Sequence, residues 1–388
     1  MKRALIAVST ASMVEQFLKP NIKQLQDLGY KVDVACNFDF GSTISDEVIE
    51  KLKSELANNN VDTINVLFPR NPFSKGIFKI YRQLKTLINN EKYDLIHCHA
   101  PVSGILTRLA ARKSRKNGAK VLYTAHGFHF FKGAPLKNWL IYYPTEKFCS
   151  RFTDILITMN KEDYNLAKRK MKANKIEYIP GIGVDTEKYK NICVDKLNKR
   201  RELGLSDDDI MLLSVGELIK RKNHEVAIRS VAKLKNENIK YFIAGIGDLY
   251  EYLIELIHEQ GLENQVFLLG YRTDIGELCS VSDMFIFPSL QEGLPVALME
   301  AMAVGLPCVA SRTRGNSDLI EDCKGGFLVS PKKPSDFTNA ITKLLINENL
   351  RCQVGDYSKT IMQNFNIKNV EEIMRGVYER IRNSRHSI

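Results

Sequence analysis

The segment from Phe287 to Ala303 reads FPSLQEGLPVALMEAMA, and it contains the pattern of a strand, a loop and a helix in immediate succession. The apolar run that ends at Phe287 predicts a buried strand. Pro295 suits the first turn of the following helix, because an N–H group there has no partner within the helix. Gly293 allows the backbone to approach a ligand closely. The amide groups from Leu294 to Ala297 are therefore expected to face a bound anion such as a diphosphate.

Two carboxylates lie within this segment, Glu292 before the predicted helix and Glu300 inside it. Because a helix rises about 1.5 Å per residue, the two side chains are too far apart to act on one atom, but they can bind two ends of an extended ligand. The alternative is structural: Glu292 is then an acid at a helix N-terminus, and Glu300 is a surface or ion-paired residue. Apolar residues on both sides of Glu300 favour an enclosed position, in which a carboxylate without a partner is costly.

The same succession of short apolar runs and helical patterns recurs along the chain, which is typical of parallel sheets built from βαβ units. One helical pattern runs from Val14 to Leu28 and is closed by Gly29. Since 388 residues are too many for one ordinary core, the sequence predicts an α/β protein with two Rossmann-like, doubly wound domains facing across a cleft. The predicted strands are Ala4–Val8, Val32–Cys36, Leu95–Cys98, Val121–Thr124 and Ile155–Thr158 in the first half, and Ile210–Val215, Tyr241–Ala244, Val266–Leu269, Met284–Phe287 and Cys308–Ala310 in the second.

The Pro- and Gly-rich segment from Ile179 to Asp185 interrupts the pattern and marks the junction between the domains. We expect a first domain over residues 1–184 and a second domain over residues 185–365. The remaining residues, 366–388, form a long helical pattern with no strand after it. This last helix is expected to pack back on the first domain.

Composition and charge exclude some classes of protein. Hydrophobic residues make up 44% of the chain and charged residues 26%, as in folded globular proteins, and no apolar run approaches the roughly 18 residues that span a membrane. The segment from Met1 to Val8 is interpreted as a first strand rather than a signal peptide. Eight scattered cysteines without a Cys-x-x-Cys pair indicate reduced thiols, and the sequence therefore predicts a cytoplasmic protein.

The net charge of +11 calls for an anionic partner. The densest basic run lacks interleaved aromatic residues, which argues against nucleic acid as that partner. A solvated helix face is the simpler interpretation of the run. An anionic membrane surface is the alternative, and it would make the protein peripheral at the inner face of the cell membrane. The residues of the run are Arg108, Arg112, Lys113, Arg115, Lys116 and Lys120.

A second candidate site lies between residues 216 and 223, which read GELIKRKN. This basic loop follows a predicted strand and precedes a helical pattern from Glu225 to Leu234, so its cations are placed where a diphosphate binds. A basic loop is also ordinary on a basic protein. We favour Arg221 and Lys222 as the diphosphate ligands.

Histidines follow two strands of the first half. His126 comes after a strand and next to Gly127, and it is either a ligand-binding residue or a buried imidazole with a structural partner. His97 and His99 share one strand face. Together with His126 and His129 they suggest zinc. A sugar pocket or plain packing explains them without an acidic partner, so no metal site is predicted.

The two acids with seven residues between them resemble the E-x7-E signature of retaining glycosyltransferases of family 4, which have the two-domain GT-B fold. The flanking residues 287–289, 300–303 and 305–310 are similar to that family as well, and the resemblance covers nearly the whole chain. Residues 124–129 and 160–164 resemble transferases of bacterial capsule and exopolysaccharide assembly.

The resemblance implies roles for individual residues of the second half. Glu300 corresponds to the acid that binds the ribose of the donor nucleotide, and Glu292 to the acid beside the transferred sugar. Lys222 matches a lysine that binds the diphosphate, whereas Glu217 stands where the family usually has arginine. The backbone of Gly293, Leu294, Pro295 and Val296 is expected to line sugar and phosphates, and Tyr271 and Arg272 are expected near the nucleotide base.

In the first half the resemblance implies that His126 reaches the donor sugar. Small residues follow the first strand where many relatives carry a glycine-rich loop near the acceptor. The residues expected on the acceptor side are Ser9, Thr10, Ser12 and His99.

The resemblance further implies the reaction. A sugar moves with retention from a nucleotide donor, expected to be a UDP-linked N-acetyl sugar, to a lipid-linked or oligosaccharide acceptor of capsule or exopolysaccharide assembly. Neither a cofactor nor a metal is expected, because no D-x-D pair follows a strand: Asp207, Asp208 and Asp209 precede one. Two alternatives stay open, a UDP-sugar 2-epimerase on the same scaffold and a non-catalytic subunit that binds sugar nucleotides.

Overall fold

The computed structural model describes residues 1–39, 44–69 and 74–383. The chain divides into two compact units, one of Met1–Ile182 with the chain from Val370 onward, and one of Gly183–Asn369. The sequence predicts boundaries after residues 184 and 365, and the units of the structure divide after Ile182 and Asn369. Residues 384–388 of the predicted last helix lie outside the described residues.

The described part of the first unit contains a seven-stranded parallel sheet in the order β3-β2-β1-β4-β5-β6-β7. Ala4 of β1 pairs with Val32 on one side and with Leu95 on the other. The strand order reverses between β1 and β4, so a crevice is expected beyond the carboxyl ends of these two strands. The strands are β1 (Lys2–Thr10), β2 (Tyr30–Asn37), β3 (Asp62–Asn65), β4 (Leu95–His99), β5 (Lys120–Ala125), β6 (Ile155–Thr158) and β7 (Lys175–Tyr178).

Both faces of this sheet are covered, which explains why its central strands are apolar throughout. Ala4 and Ile6 of β1 enter the core on one face, and Leu5 and Ala7 enter the core on the other. The helices are α1 (Ala11–Met13), α2 (Lys19–Asp27), α3 (Asp46–Asn58), α4 (Ile77–Glu91), α5 (Pro101–Ala110), α6 (Arg112–Lys116), α7 (Leu136–Cys149) and α8 (Lys161–Lys170), with a 3₁₀ turn at Ser150–Phe152.

One predicted helix differs from the structure. The pattern from Val14 to Leu28 predicts a continuous α-helix, but Val14–Leu18 forms a π-helical turn and α2 begins only at Lys19. Pro20 sits in the first turn of α2, where its missing N–H is tolerated, and this explains the restart. Gly29 closes the helix with φ +83°, as expected for a residue in the left-handed region.

The described part of the second unit contains a six-stranded parallel sheet in the order β10-β9-β8-β11-β12-β13. Its order reverses between β8 and β11. The strands are β8 (Ile210–Val215), β9 (Ile239–Ala244), β10 (Val266–Gly270), β11 (Met284–Phe287), β12 (Cys308–Ser311) and β13 (Phe327–Val329). The helices are α9 (Thr186–Lys190), α10 (Lys196–Glu202), α11 (His224–Leu234), α12 (Tyr250–Glu259), α13 (Ile275–Val281), α14 (Val296–Val304), α15 (Arg314–Leu319), α16 (Pro334–Leu345) and α17 (Glu348–Met362), with a 3₁₀ turn at Gln363–Phe365.

The last helix, α18 (Ile367–Asn383), begins in the second unit and belongs to the first from Val370. One stripe of its side chains enters a core of the first unit. At the start of α18 the chain is held to the segment at Val184, because Ile367 N–H donates to the carbonyl oxygen of Val184. The buried stripe consists of Val370, Met374, Val377, Tyr378 and Ile381.

Two further properties concern the whole described chain. None of the helices formed by residues 1–39, 44–69 and 74–383 has the length and apolar character needed to cross a bilayer. All eight cysteines lie in these ranges, and each is a free thiol.

Candidate active site

The candidate site of the second unit lies where the strand order reverses. β8 and β11 are neighbouring parallel strands, so the loops that follow them leave the same edge of the sheet. These are the basic loop after Val215 and the acidic loop after Phe287. In open α/β sheets, ligands bind in the crevice at this position.

Lys222 and Arg221 both contact the carboxylate of Glu292. Lys222 Nζ donates to Glu292 Oε1 at 2.7 Å, and Arg221 Nη1 approaches Glu292 Oε2 at 3.2 Å. Glu292 is only 8% exposed, so both cations offset the cost of burying its charge. The structure therefore brings together three residues that the sequence assigns to the sugar and the diphosphate.

Further hydrogen bonds hold the basic loop and the acidic loop together. Leu290 N–H donates to the carbonyl of Arg221 at 2.8 Å, and the Asn223 amide donates to the carbonyls of Pro288 and Pro331 at 3.0 and 2.8 Å. Asn223 has φ +58°, a conformation that asparagine tolerates better than most residues. The positions of the neighbouring cations are thereby fixed by backbone geometry.

Arg314 was not predicted from the sequence. Its Nε donates to the backbone carbonyl of Glu292 at 3.0 Å, and the side chain is buried. Next to it, Gly315 approaches the acidic loop so closely that a Cβ atom there would lie 2.2 Å from the carbonyl oxygen of Gly293. The only available sequence signal was the position of Arg314 just after strand β12.

The helix after the acidic loop begins one residue later than predicted. Pro295 is the N-cap residue with extended backbone, and α14 starts at Val296. An N-cap residue lies outside the helical turn, and proline has no N–H group. The first free amide groups of α14 therefore belong to the residues after Pro295. The expected backbone lining by Gly293 and Leu294 therefore comes from the loop, and that by Val296 from the first helical residue.

Glu300 is partly buried on α14, facing α9. The hydroxyl of Tyr189 donates to Glu300 Oε1 at 2.5 Å. Burial raises the pKa of Glu300, while this hydrogen bond and the charge of Lys188 act in the opposite direction. The carboxylate is thus oriented by a tyrosine that no sequence pattern indicated.

Tyr271 and Arg272 follow the edge strand β10. Arg272 forms two bonds with the carboxylate of Asp274, the one from Nε being 2.8 Å long, and Lys199 Nζ lies 2.7 Å from the same carboxylate. The side chain of Tyr271 is exposed. The structure does not join these two residues to Glu292, and their predicted position near a nucleotide base stays a prediction.

In the first unit the predicted acceptor-side residues lie at or just after the carboxyl ends of β1 and β4. Ser9 Oγ lies 2.9 Å from Ser103 Oγ, which joins the end of β1 to α5. Thr10 Oγ1 lies 3.0 Å from Ser12 Oγ. His99 is therefore close in the fold to Ser9, because the Ser103 hydroxyl also donates to the His99 carbonyl at 2.5 Å.

Three histidines form a row in this unit. The ring centroids of His97 and His99 are 4.1 Å apart, and His99 Nδ1 lies 3.3 Å from His126 Nε2. His97 is held by Thr124 and by Tyr378 of α18, each at 2.8 Å. The second nitrogen of His99, Nε2, is buried without a hydrogen-bond partner among the described residues.

Burial keeps this row neutral. It lowers the pKa of His126 to about 4 and, with a contribution from His126, that of His97 to about 3. Burial and both neighbours lower the pKa of His99 well below its ordinary value. Within the described ranges, no group of three or more His, Cys, Asp or Glu side chains is arranged to hold a metal ion.

His99 and His126 also line a small, partly open pocket of about 50 Å³. Its remaining wall is largely apolar and includes Met374 of α18. A neutral imidazole both donates and accepts hydrogen bonds, so the pair can bind a hydroxyl group in either sense.

The basic run of the first unit is less exposed than predicted. Arg108 is fully buried: its Nη2 lies 2.8 Å from Glu146 Oε2, and its guanidinium lies 3.8 Å from the ring centroid of Tyr123. Although burial lowers it, the charge of Glu146 keeps the pKa of Arg108 above its ordinary value. Arg115 pairs with Asp154 at 2.9 Å. The interpretation of the run as one solvated face is therefore wrong for Arg108, which has a buried counterion.

Comparison with known proteins identifies the family. Residues 195–361 match the family described as Glycosyl transferases group 1, and residues 5–160 match the family described as Glycosyl transferase 4-like. The chain is 35% identical over 381 residues to EpsD of Bacillus subtilis (strain 168), which is named as a glycosyltransferase without a stated donor or acceptor. This similarity covers 97% of the chain and 96% of EpsD.

A second relative is the Escherichia coli enzyme UDP-Gal:alpha-D-GlcNAc-diphosphoundecaprenol alpha-1,3-galactosyltransferase, 32% identical over 311 residues, with 77% of this chain and 78% of the enzyme covered. Among solved structures, Anabaena HepE in complex with UDP has a TM-score of 0.79 at 19% identity, with 97% of this chain and 100% of that chain covered. This likeness confirms the predicted α/β fold with two Rossmann-like sheets. The chain therefore belongs to the family 4 glycosyltransferases of the GT-B fold.

Proposed function

We propose that this glycosyltransferase moves a sugar with retention of configuration from a UDP-linked donor, an N-acetyl sugar in our assignment, to a lipid-linked acceptor of capsule or exopolysaccharide assembly. The observation that carries the proposal is the convergence of Lys222 and Arg221 on Glu292 where the strand order reverses. Cations and a carboxylate are thereby placed together where an open α/β sheet binds its ligand.

The two cations are assigned to the leaving group. Negative charge grows on the diphosphate as the glycosidic bond breaks, and fixed cations in a partly buried site stabilise that charge more than water does. Glu292 is their counterion in the structure. A diphosphate offers the same cations more negative charge, so it can take over contacts that Glu292 holds and leave the carboxylate to accept a sugar hydroxyl.

The same ion pairs argue against Glu292 as a covalent nucleophile. Lys222 and Arg221 each engage one oxygen of the Glu292 carboxylate, and once a diphosphate takes over these cations the carboxylate is assigned to a sugar hydroxyl, so neither arrangement directs it at the anomeric carbon. We therefore assign retention to attack on the same face as the departing diphosphate, with the phosphate taking the acceptor proton. The reaction as proposed uses no metal and no cofactor beyond the nucleotide sugar, because the chain's own cations take the charge of the leaving group.

Glu300 is assigned to the ribose. Its carboxylate is oriented by Tyr189 and is partly buried, which suits a hydroxyl pair better than a phosphate. His126 is assigned to a sugar hydroxyl, since its lowered pKa leaves the ring neutral. The backbone from Gly293 to Val296 is assigned to the sugar and phosphates, and Tyr271 and Arg272 to the nucleotide base. The acceptor side is assigned to Ser9, Thr10, Ser12 and His99.

The UDP-linked donor class and the lipid-linked acceptor class rest on the relatives, and the N-acetyl group of the donor rests on the resemblance to capsule transferases alone. The Escherichia coli relative is named for UDP-Gal and for a diphosphoundecaprenol-linked acceptor. Anabaena HepE has been crystallised with UDP-glucose. A lipid-linked acceptor places the reaction at a membrane surface, and the net charge of +11 suits an anionic one.

The test is incubation of the protein with labelled UDP-sugars and diphosphoundecaprenol-linked sugar acceptors, with and without EDTA. Transfer that persists in EDTA and forms the α-linked product by NMR supports the proposal. Release of a 2-epimerised sugar without any transfer would establish the epimerase instead. Saturable binding of UDP-sugars with no turnover on any acceptor of the panel would indicate a non-catalytic subunit.

A further inference from the structure

The helix α7 exposes an apolar stripe to solvent. Leu136 is 73% exposed, Leu140 68% and Phe148 46%, and Ile141 and Pro144 are exposed between them. The spacing of these residues places them on one side of the helix. From Leu136 to Phe148 the stripe is about 18 Å long, at 1.5 Å per residue.

The opposite side of α7 is packed into the first unit, so the exposed stripe is not a misplaced core face. Trp139 and Tyr143 pack against Phe130, with ring centroids 5.6 and 5.5 Å apart. Glu146 forms the buried ion pair with Arg108. The helix is therefore apolar on both sides; one side is packed into the unit, and on the other only Phe148 has an aromatic partner among the described residues, Phe152 at 5.3 Å between ring centroids.

Cations surround the stripe. Lys137 and Arg151 are exposed at either end of it, and Lys147 lies beside Phe148. The short helix α6 continues the surface, since the guanidinium of Arg112 lies 4.4 Å from the ring centroid of Phe152, just after α7. Its neighbours Lys113 and Lys116 are also exposed.

The carboxylates of this region are already neutralised. Glu146 is the only acidic residue of α6 and α7, and it pairs with the buried Arg108. Asp154, which follows α7, pairs with Arg115. The outward surface therefore combines exposed apolar side chains with cations that have no acidic neighbour on their own elements.

We propose that this surface docks the protein onto an anionic lipid bilayer. The docking face is defined as Leu136, Leu140, Ile141, Pro144 and Phe148 together with Lys113, Lys116, Lys137, Lys147 and Arg151. The apolar stripe enters the boundary between headgroups and acyl chains with the helix lying in the membrane plane, and the cations contact lipid phosphates. A hydrophobic protein partner would leave this ring of cations unmatched, whereas an anionic lipid matches both components.

The docking face is connected to the candidate site of its own unit. The loop that begins at His126, at the end of β5, leads directly into α7, and the ring of His129 packs on Tyr142 of α7 with centroids 4.7 Å apart. Docking through α7 therefore brings the row of histidines to the surface from which a lipid-linked acceptor is presented. In this respect the inference rests on the proposed function.

The experiment is sedimentation of the full chain with vesicles of phosphatidylcholine alone or with about one third phosphatidylglycerol, at low and high salt. We expect binding to the anionic vesicles that weakens with salt. The triple variant Leu136→Ser, Leu140→Ser, Phe148→Ser is expected to lower the partition coefficient about tenfold or more, and Lys113→Gln with Lys116→Gln and Lys137→Gln several-fold.

The matched control is Ile254→Ser with Ile346→Ser, two apolar residues of the second unit that are 41% and 80% exposed. This variant is expected to bind vesicles as the unchanged protein does. Thermal unfolding of all variants shows whether the first unit is still folded. Equal loss of vesicle binding in the control variant, or no binding of the unchanged protein to anionic vesicles at low salt, would overturn the docking face.

Activity on a water-soluble, short-chain acceptor separates this inference from the proposed function. The triple variant is expected to keep that activity and to lose activity on acceptor embedded in anionic vesicles. Transfer to soluble acceptor without any vesicle binding leaves the function standing and removes the docking face. Vesicle binding without transfer to any acceptor leaves the docking face standing and removes the proposed function. A dimer of the unchanged protein that the triple variant abolishes, without lipid, would assign the face to a second copy and overturn the proposal.

Discussion

The Nζ atom of Lys222 lies 2.7 Å from Oε1 of Glu292, although 70 positions separate the two residues in the chain. The contact joins the loops after two neighbouring strands, β8 and β11. It means that the lysine assigned to the diphosphate is already held in position by the acid assigned to the sugar. Each of the two roles therefore depends on the other residue.

Lys222→Ala is expected to lower kcat about 10²–10³-fold with a smaller change in donor KM, because the charge that Lys222 stabilises grows in the transition state. The measurement is initial rates at varied donor concentration. Lys220→Ala is the control, since Lys220 is an exposed cation of the same loop. A change confined to donor KM would show that Lys222 binds the ground state only.

Glu300→Ala is expected to raise the donor KM about tenfold or more and to leave kcat nearly unchanged, because hydrogen bonds to a charged group contribute roughly 1.5–3 kcal/mol in both ground and transition states. Tyr189→Phe keeps the carboxylate but removes its 2.5 Å hydrogen bond, so a smaller rise in KM is expected. Isothermal titration with UDP checks both variants. Equal UDP affinity in the Glu300→Ala variant would contradict the ribose assignment.

Gly315→Ala is expected to damage the acidic loop, because the new Cβ atom would lie 2.2 Å from the carbonyl oxygen of Gly293 and must displace backbone. Donor binding should weaken and the melting temperature should fall. Gly376→Ala is the matched control: on α18 its Cβ meets only the flexible end of Arg380, at 3.4 Å. That variant should be about 0.5–1 kcal/mol more stable, as expected for alanine in a helix interior. A Gly315→Ala protein with unchanged donor affinity would show that the backbone at Gly293 can move away from the new Cβ atom without weakening donor binding.

Arg108→Ala is expected to destabilise the protein by about 3–5 kcal/mol, because it leaves the charge of Glu146 buried without its partner. Arg108→Met combined with Glu146→Leu should cost clearly less than the sum of the two single changes. Lys53→Ala, which removes an exposed ion pair with Glu50, should change the free energy of unfolding by less than about 1 kcal/mol. Denaturant titration measures all five variants, the single changes Arg108→Met and Glu146→Leu included, and additivity of the buried pair would refute the coupling.

Acid should destabilise the protein through its neutral histidines. The ordinary histidine pKa of 6.5 is lowered in the folded state to about 3 for His97 and to about 4 for His126 and for His224. As the pH falls below 6.5 the unfolded chain takes up protons that the folded chain does not. The stability present above pH 6.5 is therefore lost as the pH falls toward the folded pKa, by about 2 kcal/mol per histidine at pH 5.

His97→Gln should reduce this loss by about 2 kcal/mol between pH 8 and pH 5, since one proton fewer is taken up on unfolding. Asn264→Gln, an exposed change that involves no titratable group, should leave it unchanged. The measurement is the free energy of unfolding of both variants and of the unchanged protein as a function of pH. An identical slope for the His97→Gln and unchanged proteins would mean that His97 takes up its proton in the folded state as readily as in the unfolded chain.

The strands and the types of site residue could be predicted from the sequence where the local pattern is strong. Ile155–Thr158, Ile210–Val215 and Met284–Phe287 have the predicted bounds, because buried parallel strands are continuous apolar runs. The missed strands β3, β7 and β13 are all at sheet edges, three or four residues long. An edge strand needs less apolar surface: Asp62–Asn65 carries polar side chains on both faces, and Lys175–Tyr178 carries charged side chains on one.

The pairings between distant residues could not be predicted. A carboxylate at position 292 and a lysine at position 222 were each assigned to a ligand, but only the order of β8 and β11 brings them together. Arg108 was placed on a solvated face because its partner, Glu146, lies 38 positions away on another helix. The local sequence pattern predicts which types of side chain are present in a loop or helix, whereas the order of the strands determines which of these side chains contact each other.

The last helix has a consequence for the order in which the protein is made. A ribosome delivers the chain from its first residue, so the second unit is complete at Asn369, while a core of the first unit still lacks Val377, Tyr378 and Ile381. His97 receives its Tyr378 partner only when these residues emerge. The half of the enzyme that is begun first is therefore finished last, and a nascent chain halted before residue 378 would carry a complete second unit and an unfinished row of histidines in the first.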